Sequence, residues 1–455
     1  MQPVLTVAEM QAVDAVALAS TPIHELVERA GTAVASAALD LLGGAYGRRV
    51  VLVCGSGNNG SDGRVAARLL AARGARVRVV APDGDARIGV DGPGVDLVVD
   101  AAFGTGFHGT YDAPCVAPGI PVLAVDIPSG VAGDTGEAPG RVLGAVRTVT
   151  FVAPKPGLLQ GDGARLAGAV EVVDIGLPVG DHRIGLMDDT DVAGVLPDRD
   201  PGGNKWSAAV ALVAGSPGMT GAAALSARAA YRSGAGMVRL GVPGGDPARL
   251  PATEAVGVTL PGADWGAAAL AAADRCRAVV VGPGLGRADG TGDQVRRLIA
   301  GSSVPVVVDA DGLHALGRVD GGGLGASAPV VLTPHDGEYA ALLGSAPGAD
   351  RIAAARRLAA ATGAVALVKG MTTAVADPSG RVLLACAGTP ALASAGTGDV
   401  LSGIIGAFLA RGVPPLEAAA LGAHVHGRAG ALGHRFGLLA DDLPELVARV
   451  IDVLG

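Results

Sequence analysis

Two consecutive α/β domains, each a mainly parallel sheet with helices packed against it, are predicted by three observations. The chain has 455 residues, more than one ordinary core accommodates. Short continuous runs of Val, Leu, Ile and Ala alternate with helical patterns and end in glycine or polar residues, as buried parallel strands do. That pattern lapses at 188–203, a stretch rich in Asp, Pro and Gly, and then starts again. The predicted domains are 1–195 and 196–455.

Hydrophobic residues make up 49% of the chain but aromatics only 2%, so the cores are built from Ala, Val and Leu. The 73 glycines are dispersed rather than periodic and cluster at strand ends. A formal net charge of -8 without a basic stretch argues against nucleic acid as a partner. It leaves room for a small anionic ligand, because helix ends and local fields outweigh net charge. Cys54, Cys115, Cys276 and Cys386 are scattered with no C-x-x-C pair, which suits free thiols in a reducing compartment. The first fifteen residues contain Glu9 and Asp14 and lack the apolar core of a secretion signal. No run reaches the roughly 20 apolar residues of a membrane span. A cytoplasmic protein is expected.

Residues 6–42 read as helix, broken near Thr21-Pro22, with Thr6 as cap and Glu9 completing a capping box. The strand 50–54 runs into Gly55-Ser56-Gly57-Asn58-Asn59-Gly60-Ser61-Asp62-Gly63, followed by helix 65–72 and strand 77–81. Two functional readings compete here. Gly55, Gly57 and Gly60 satisfy G-x-G-x-x-G, with Asp83 placed as a ribose-binding acid. Alternatively, Asn58, Asn59 and Asp62 supply oxygens and donors for a polar ligand or a cation. A tight turn capped by Asn and Asp is the structural alternative. Strand 95–99 ends in Asp100 and strand 122–125 in Asp126, with Ser129 just beyond. Three successive strands therefore carry polar groups at their carboxyl ends, the edge where parallel α/β sheets bind ligands. Oxygens from Asn59, Asp100 and Ser129 suit a hard cation, and 104–110 offers backbone N–H groups to phosphates.

The second half repeats this logic. Strand 208–214, helix 222–232 and strand 237–242 open it. Strands 279–281, 306–308, 330–332 and 365–368 end respectively in Gly282-Pro283-Gly284-Leu285-Gly286, Asp309-Ala310-Asp311-Gly312, Thr333-Pro334-His335 and Lys369-Gly370. Last comes Ala395-Gly396-Thr397-Gly398-Asp399 before an apolar helix, 400–410. Its glycines leave N–H groups free to approach an anion, and the helix adds its positive end. Asp399 would then sit where a hydroxyl proton is taken, so the loop reads as an anion cradle plus one base, the layout of phosphoryl transfer. A glycine-rich turn with Asp399 as a cap is the plain alternative. His424, His426 and His434 show no metal-ligand spacing and read as structural.

G-N-N-G-x-D-G, D-A-x-F-G-T-G and V-D-I-P-S-G-V-x-x-D-T-G, together with 150–159 and 173–178, resemble the N-terminal domain of the NAD(P)H-hydrate repair enzymes. G-S-P-G-M-T-G-A, G-P-G-L-G, D-A-D-G-L, L-T-P-H-x-G-E, V-K-G-x-x-T and S-A-G-T-G-D-V-L-S-G resemble the ribokinase-like, ADP- or ATP-dependent NAD(P)H-hydrate dehydratases. The resemblance implies a Rossmann-like three-layer α/β epimerase domain followed by a ribokinase-like α/β dehydratase domain. It implies potassium at Asn59, Asp100 and Ser129. It implies contacts to the hydrated nucleotide from Asn58, Asn59, Gly60, Ser61 and Asp62, from Gly104, Thr105, Gly106, Phe107, His108, Gly109 and Thr110, and from Asp126. Asp126 would serve proton transfer at C6. In the second domain Ala222, Gly286, His335 and Asp399 would contact the hydrated dinucleotide. Lys369, Gly370, Met371, Thr372, Thr373 and Gly398 would bind ADP (or ATP), with magnesium on the phosphates. The implied partners are hydrated NADH, hydrated NADPH and ADP, and a homo-oligomer is expected.

Two departures from the family pattern stand out. Ser61 replaces the usual glycine; at φ > 0 it would cost about 1 kcal/mol. Asn204-Lys205-Trp206-Ser207-Ala208 alters the usual entrance to the second domain's first strand. The competing functional readings are a ribokinase-like kinase for a vitamin precursor with an accessory N-terminal domain, and a non-catalytic nucleotide sensor.

Overall fold

The structure, a computed structural model, describes residues 1–82, 85–90, 94–199, 201–250, 252 and 254–455. Asp83, the expected ribose-binding acid, lies outside the described residues. The chain forms two compact units: 3–182, and 183–455 together with Met1–Gln2.

In the first unit six parallel strands lie in the order Arg76–Val80, Arg49–Cys54, Leu97–Ala101, Val122–Val125, Arg147–Phe151, Ala169–Val173. Side chains alternate across the sheet. Val50, Leu52 and Cys54 pack into one core with the helices Val7–Leu18, Ile23–Leu42 and Asn58–Ala72. Val51 and Val53 face the opposite core, with Ile88, Tyr111 and Leu143. Thr6 and Glu9 form the expected capping box. The expected helix at 65–72 starts earlier, at Asn58, with Gly57 as its cap, so most of the glycine-rich segment is the helix's first turns. Backbone crowding explains two of the three fingerprint glycines. A β-carbon on Gly55 would fall 2.0 Å from the Ala102 carbonyl oxygen, and one on Gly60 would fall 1.9 Å from the Gly55 carbonyl oxygen. Ser61 is helical rather than at positive φ, so the expected strain does not arise; its hydroxyl donates to Gly57 O at 3.2 Å.

The second unit's sheet runs Ile184–Met187, Val382–Ala385, Thr373–Ala376, Val365–Val368, Val330–Leu332, Val306–Val308, Ala278–Val281, Ala209–Val213, Met237–Pro243, Val256–Leu260. Thr373–Ala376 is antiparallel to both neighbours, and from Val365–Val368 to Val256–Leu260 the pairing is parallel. The helix Thr397–Ala410 is buried along its length in the main core. Glycines let it approach closely: a β-carbon on Gly403 would meet Ser226 O at 2.3 Å, and one on Gly406 would meet Val280 Cγ2 at 2.4 Å. This close seat aims the helix's first turn at the strand ends.

The predicted division at 195/196 is corrected. Ile184–Met187 is already a strand of the second sheet, paired with Val382–Ala385, and Thr190–Val195 is a helix with Val192 in the core. The aspartates that suggested a linker are local turn and cap groups. Asp188 Oδ1 accepts from the Thr190 backbone and hydroxyl, and Asp191 Oδ2 accepts from the Asp188 N–H. The units divide at 182/183.

Candidate functional sites

The first site lies at the carboxyl ends of the first unit's strands. A cleft of about 560 Å³ opens there, a size suited to a small-molecule ligand. Asn58, Asn59, Asp62, Gly104, Thr105, Gly106, Phe107, His108 and Asp126 all line it. Gly60, Ser61, Gly109 and Thr110, expected as ligand contacts, are not among the lining residues. Gly60 and Ser61 hold the helix's first turn, and Gly109 and Thr110 lie exposed.

Asp126 is held by several groups. The Lys155 ammonium donates to its Oδ1 at 2.6 Å, Thr150 Oγ1 donates at 3.2 Å, and the Thr105 N–H reaches Oδ2 at 3.3 Å. Lys155 is 1% exposed and also donates to Thr150 Oγ1 and the Phe151 carbonyl. Burial by itself would raise the Asp126 carboxyl, but Lys155 and these hydrogen bonds outweigh it and keep the group below the usual carboxylate range. Asp62 is the opposite case. Burial first, then the charge of Asp126, pushes it up to about 8. At neutral pH Asp126 is therefore an ionised carboxylate and Asp62 a protonated carboxylic acid, a proton acceptor and a donor in one cleft, which Asp14, its carboxyl also raised by burial, lines as well. The aromatic rings of Phe103 and Phe107 pack along the same wall with centroids 4.6 Å apart, tilted by 35°.

Beneath the cleft Asp100 is buried. It accepts from the backbone N–H groups of Ser129 and Ala102, and no cationic side chain pairs with it among the described residues. Asn59 Nδ2 has no hydrogen-bond partner. That orphan is a donor and binds no cation; the Asp100 carboxyl, raised by burial, is the group whose charge a hard cation would compensate, with the side-chain oxygens of Ser129 and Asn59 as further ligands.

The second site gathers five strand-end loops. Gly286 N–H donates to Asp311 Oδ2 at 3.0 Å, joining G-P-G-L-G to D-A-D-G-L. Ala222 lies against Gly284, where a β-carbon would meet it at 2.9 Å. His335 caps the helix Asp336–Leu343 through Nδ1, in a capping box with Glu338, and its side chain is 61% exposed. Lys369 Nζ donates to Asp309 Oδ1 at 2.6 Å. A β-carbon on Gly398 would stand 3.4 Å from that ammonium, so Lys369 lies against the first turn of the Asp399 helix. Asp399 is pushed up to about 7, first by burial and then by Asp309, against the lowering effect of Lys369. Met371 is exposed and Thr372 buried, with its hydroxyl 3.7 Å from Cys386 Sγ. His426 is buried behind the cradle, hydrogen-bonded to the Thr397 backbone, and burial lowers its imidazole to about 4. His424 is buried too, bonded to Asp189, while His434 is exposed.

The sequence reading missed Lys155 and Thr150 at the first site and Asp309 and Thr333 at the second. A signal existed: of the 35 basic residues only three are lysine, Lys155, Lys205 and Lys369, and two of these close the two sites. Backbone strain is a second marker, visible only in the structure. Of the four non-glycine residues at positive φ among the described residues, Asp126, Val152 and Ala310, at 66°, 71° and 51°, belong to strand-end segments at the sites, and Asp264, at 53°, precedes the helix Trp265–Ala273.

A relative from Salinibacter ruber, described as a bifunctional NAD(P)H-hydrate repair enzyme, is 41% identical over 98% of this chain and 96% of its own length. The chain belongs to the bifunctional NAD(P)H-hydrate repair enzyme family. An Escherichia coli member is 34% identical over 98% of this chain and 92% of the relative. The sequence model of the NAD(P)H-hydrate dehydratase family matches residues 210–450, and that of the YjeF-related protein N-terminus matches 23–88 and 83–157. Among solved structures, a Bacillus subtilis ADP/ATP-dependent NAD(P)H-hydrate dehydratase, co-crystallised with ATP/Mg2+, superposes with a TM-score of 0.52. It is 29% identical and covers 60% of this chain and 99% of its own. An Enterococcus faecalis ribokinase-like superfamily protein, at 22% identity and a TM-score of 0.52, shows the same fold over 61% of this chain. The two sequence models thus fall one in each compact unit.

Proposed function

We propose that the chain repairs hydrated NADH and NADPH: the first unit interconverts their R and S forms, and the second dehydrates the S form at the expense of ADP. The observation that carries the reading is the second site, where a carboxylate raised to about 7 stands beside an ammonium and glycine N–H groups at a helix start. Asp399 takes the C6 hydroxyl proton as that oxygen attacks the terminal phosphorus of ADP. The bond from that phosphorus to its bridging oxygen breaks, releasing AMP. The N–H groups of 396–398 and Lys369 balance the charge on the transferred group. The C6 phosphate ester is then expelled by the ring nitrogen's electron pair. Loss of the C5 proton gives NAD(P)H and phosphate. Carboxylates outnumber Lys369 around Asp399, which fits a nucleotide arriving with magnesium on its phosphates, where the ion shields their charge.

At the first site Asp62 donates a proton to the departing C6 hydroxyl, and the ring nitrogen's electron pair forms the iminium. Asp126 accepts a proton from the water that adds to the other face. Asn59, Asp100 and Ser129 would hold potassium, which supplies positive charge beside the bound phosphates. The test is incubation of the protein with hydrated NADH and ADP. Recovery of dihydronicotinamide absorbance with release of AMP is expected; a stable phosphorylated product would defeat the repair reading.

A further inference from the structure

Asp309 ends the strand Val306–Val308, is 1% exposed, and belongs to no ligand-contact set implied by the motifs. Its Oδ1 accepts from Thr333 Oγ1 at 2.7 Å and from Lys369 Nζ at 2.6 Å. Its Oδ2 lies 3.8 Å from where a Gly398 β-carbon would be, so the carboxylate backs the ammonium along the cradle's edge. The next residue, Ala310, is held at φ 51°, between Asp309 and the Asp311 that anchors Gly286. A lysine at the start of a helix is opposed by the helix dipole. Lys369 stays there because Asp309 compensates it.

We propose that Asp309 is a positioning residue of the second site: with Thr333 it clamps the Lys369 ammonium at the first turn of Thr397–Ala410, where that cation engages the terminal phosphate of the donor nucleotide and Asp309 shields Asp399 from it. The inference rests on the phosphoryl-transfer reading of this site. Asp399 is faced by Asp309, Lys369, Asp311 and Glu338; Lys369 is faced by Asp309, Glu338 and Asp399, with buried His426 nearby. Removing the Asp309 charge both frees Lys369 and takes away the largest charge effect that raises Asp399.

The experiment uses the full chain, Asp309→Asn and Thr333→Val, with ADP and AMP binding followed by calorimetry and S-hydrate turnover followed across pH. For Asp309→Asn, ADP affinity is expected to fall about tenfold with AMP affinity unchanged, because only ADP carries the terminal phosphate. Its kcat falls on the order of 100-fold at constant KM for the hydrate, and the acid limb of kcat moves to lower pH. Thr333→Val keeps the carboxylate but removes one hydrogen bond that orients it: ADP affinity and kcat fall by smaller factors, AMP affinity is unchanged and the acid limb stays in place, and this variant carries the affinity test if Asp309→Asn does not fold. Equal loss of ADP and AMP binding, or an unmoved acid limb together with unchanged ADP affinity, overturns the proposal. A wild-type chain that prefers ADP to AMP through Asp309 yet does not dehydrate the hydrate would defeat the repair reading and leave this one standing.

Discussion

Asp399 and Lys155 show how single side chains decide what each half can do. With the Asp399 carboxyl at about 7, the base is progressively protonated below that pH, so the dehydration rate is expected to fall on the acid side with a midpoint near 7. Asp399→Asn should lose about 10³-fold in kcat with an unchanged melting profile, measured by S-hydrate turnover and calorimetry. Lys155 is the only cation that hydrogen-bonds Asp126 among the described residues. Lys155→Met should destabilise the first unit by about 3–5 kcal/mol, because a buried carboxylate is left unpaired. Adding Asp126→Asn should restore most of that loss in denaturant unfolding. The sign follows from the lowered Asp126 carboxyl: its contribution is full above the unfolded value near 4 and is lost as pH falls through the native one. Asp126 and Asp399 stand out in the sequence because each sits at a strand end or helix start inside a glycine-rich motif. Lys155 does not, because a lysine followed by proline reads as a turn until its partner is known.

Strand-to-helix turns do the positioning at the next scale. At Gly55 and Gly60 the backbone crosses itself so closely that no β-carbon fits. Gly60→Ala should unfold or distort the turn, abolishing epimerisation while S-hydrate dehydration persists, as an epimer-resolved assay would show. Ala310 carries the opposite cost. Its φ of 51° is a conformation glycine takes freely, so Ala310→Gly should raise stability by about 1 kcal/mol in thermal unfolding while lowering turnover, since it loosens Asp309 and Asp311. The elements themselves were mostly legible: 330–332 and 365–368 match the observed strands, and 306–308 does as well. The helix at 58–72 was read too short because asparagine and glycine favour turns in isolation. Packing of Gly60 and Gly63 against neighbouring backbone and side chains overrides that preference.

Across the whole molecule the two sites stand in separate compact units, each with its own sheet and core. Asp126→Asn should therefore leave turnover of pure S-hydrate unchanged, while from a mixture of epimers only the S fraction is consumed rapidly. Asp399→Asn should interconvert epimers without consuming either. Wild-type consumption of both defines the reference, and slower S turnover in Asp126→Asn would contradict this separation. The sequence by itself determined the α/β class, the restart of the pattern in the second half, and the acids and glycines at the strand ends, because buried strands and tight turns restrict composition locally. The division at 182/183 and the pairing of those groups were decided only by the tertiary structure. Lys155 meets Asp126 across 29 residues and Lys369 meets Asp309 across 60. Such partners follow from strand order and helix seating, which are set by long-range packing and leave no periodic trace in the chain.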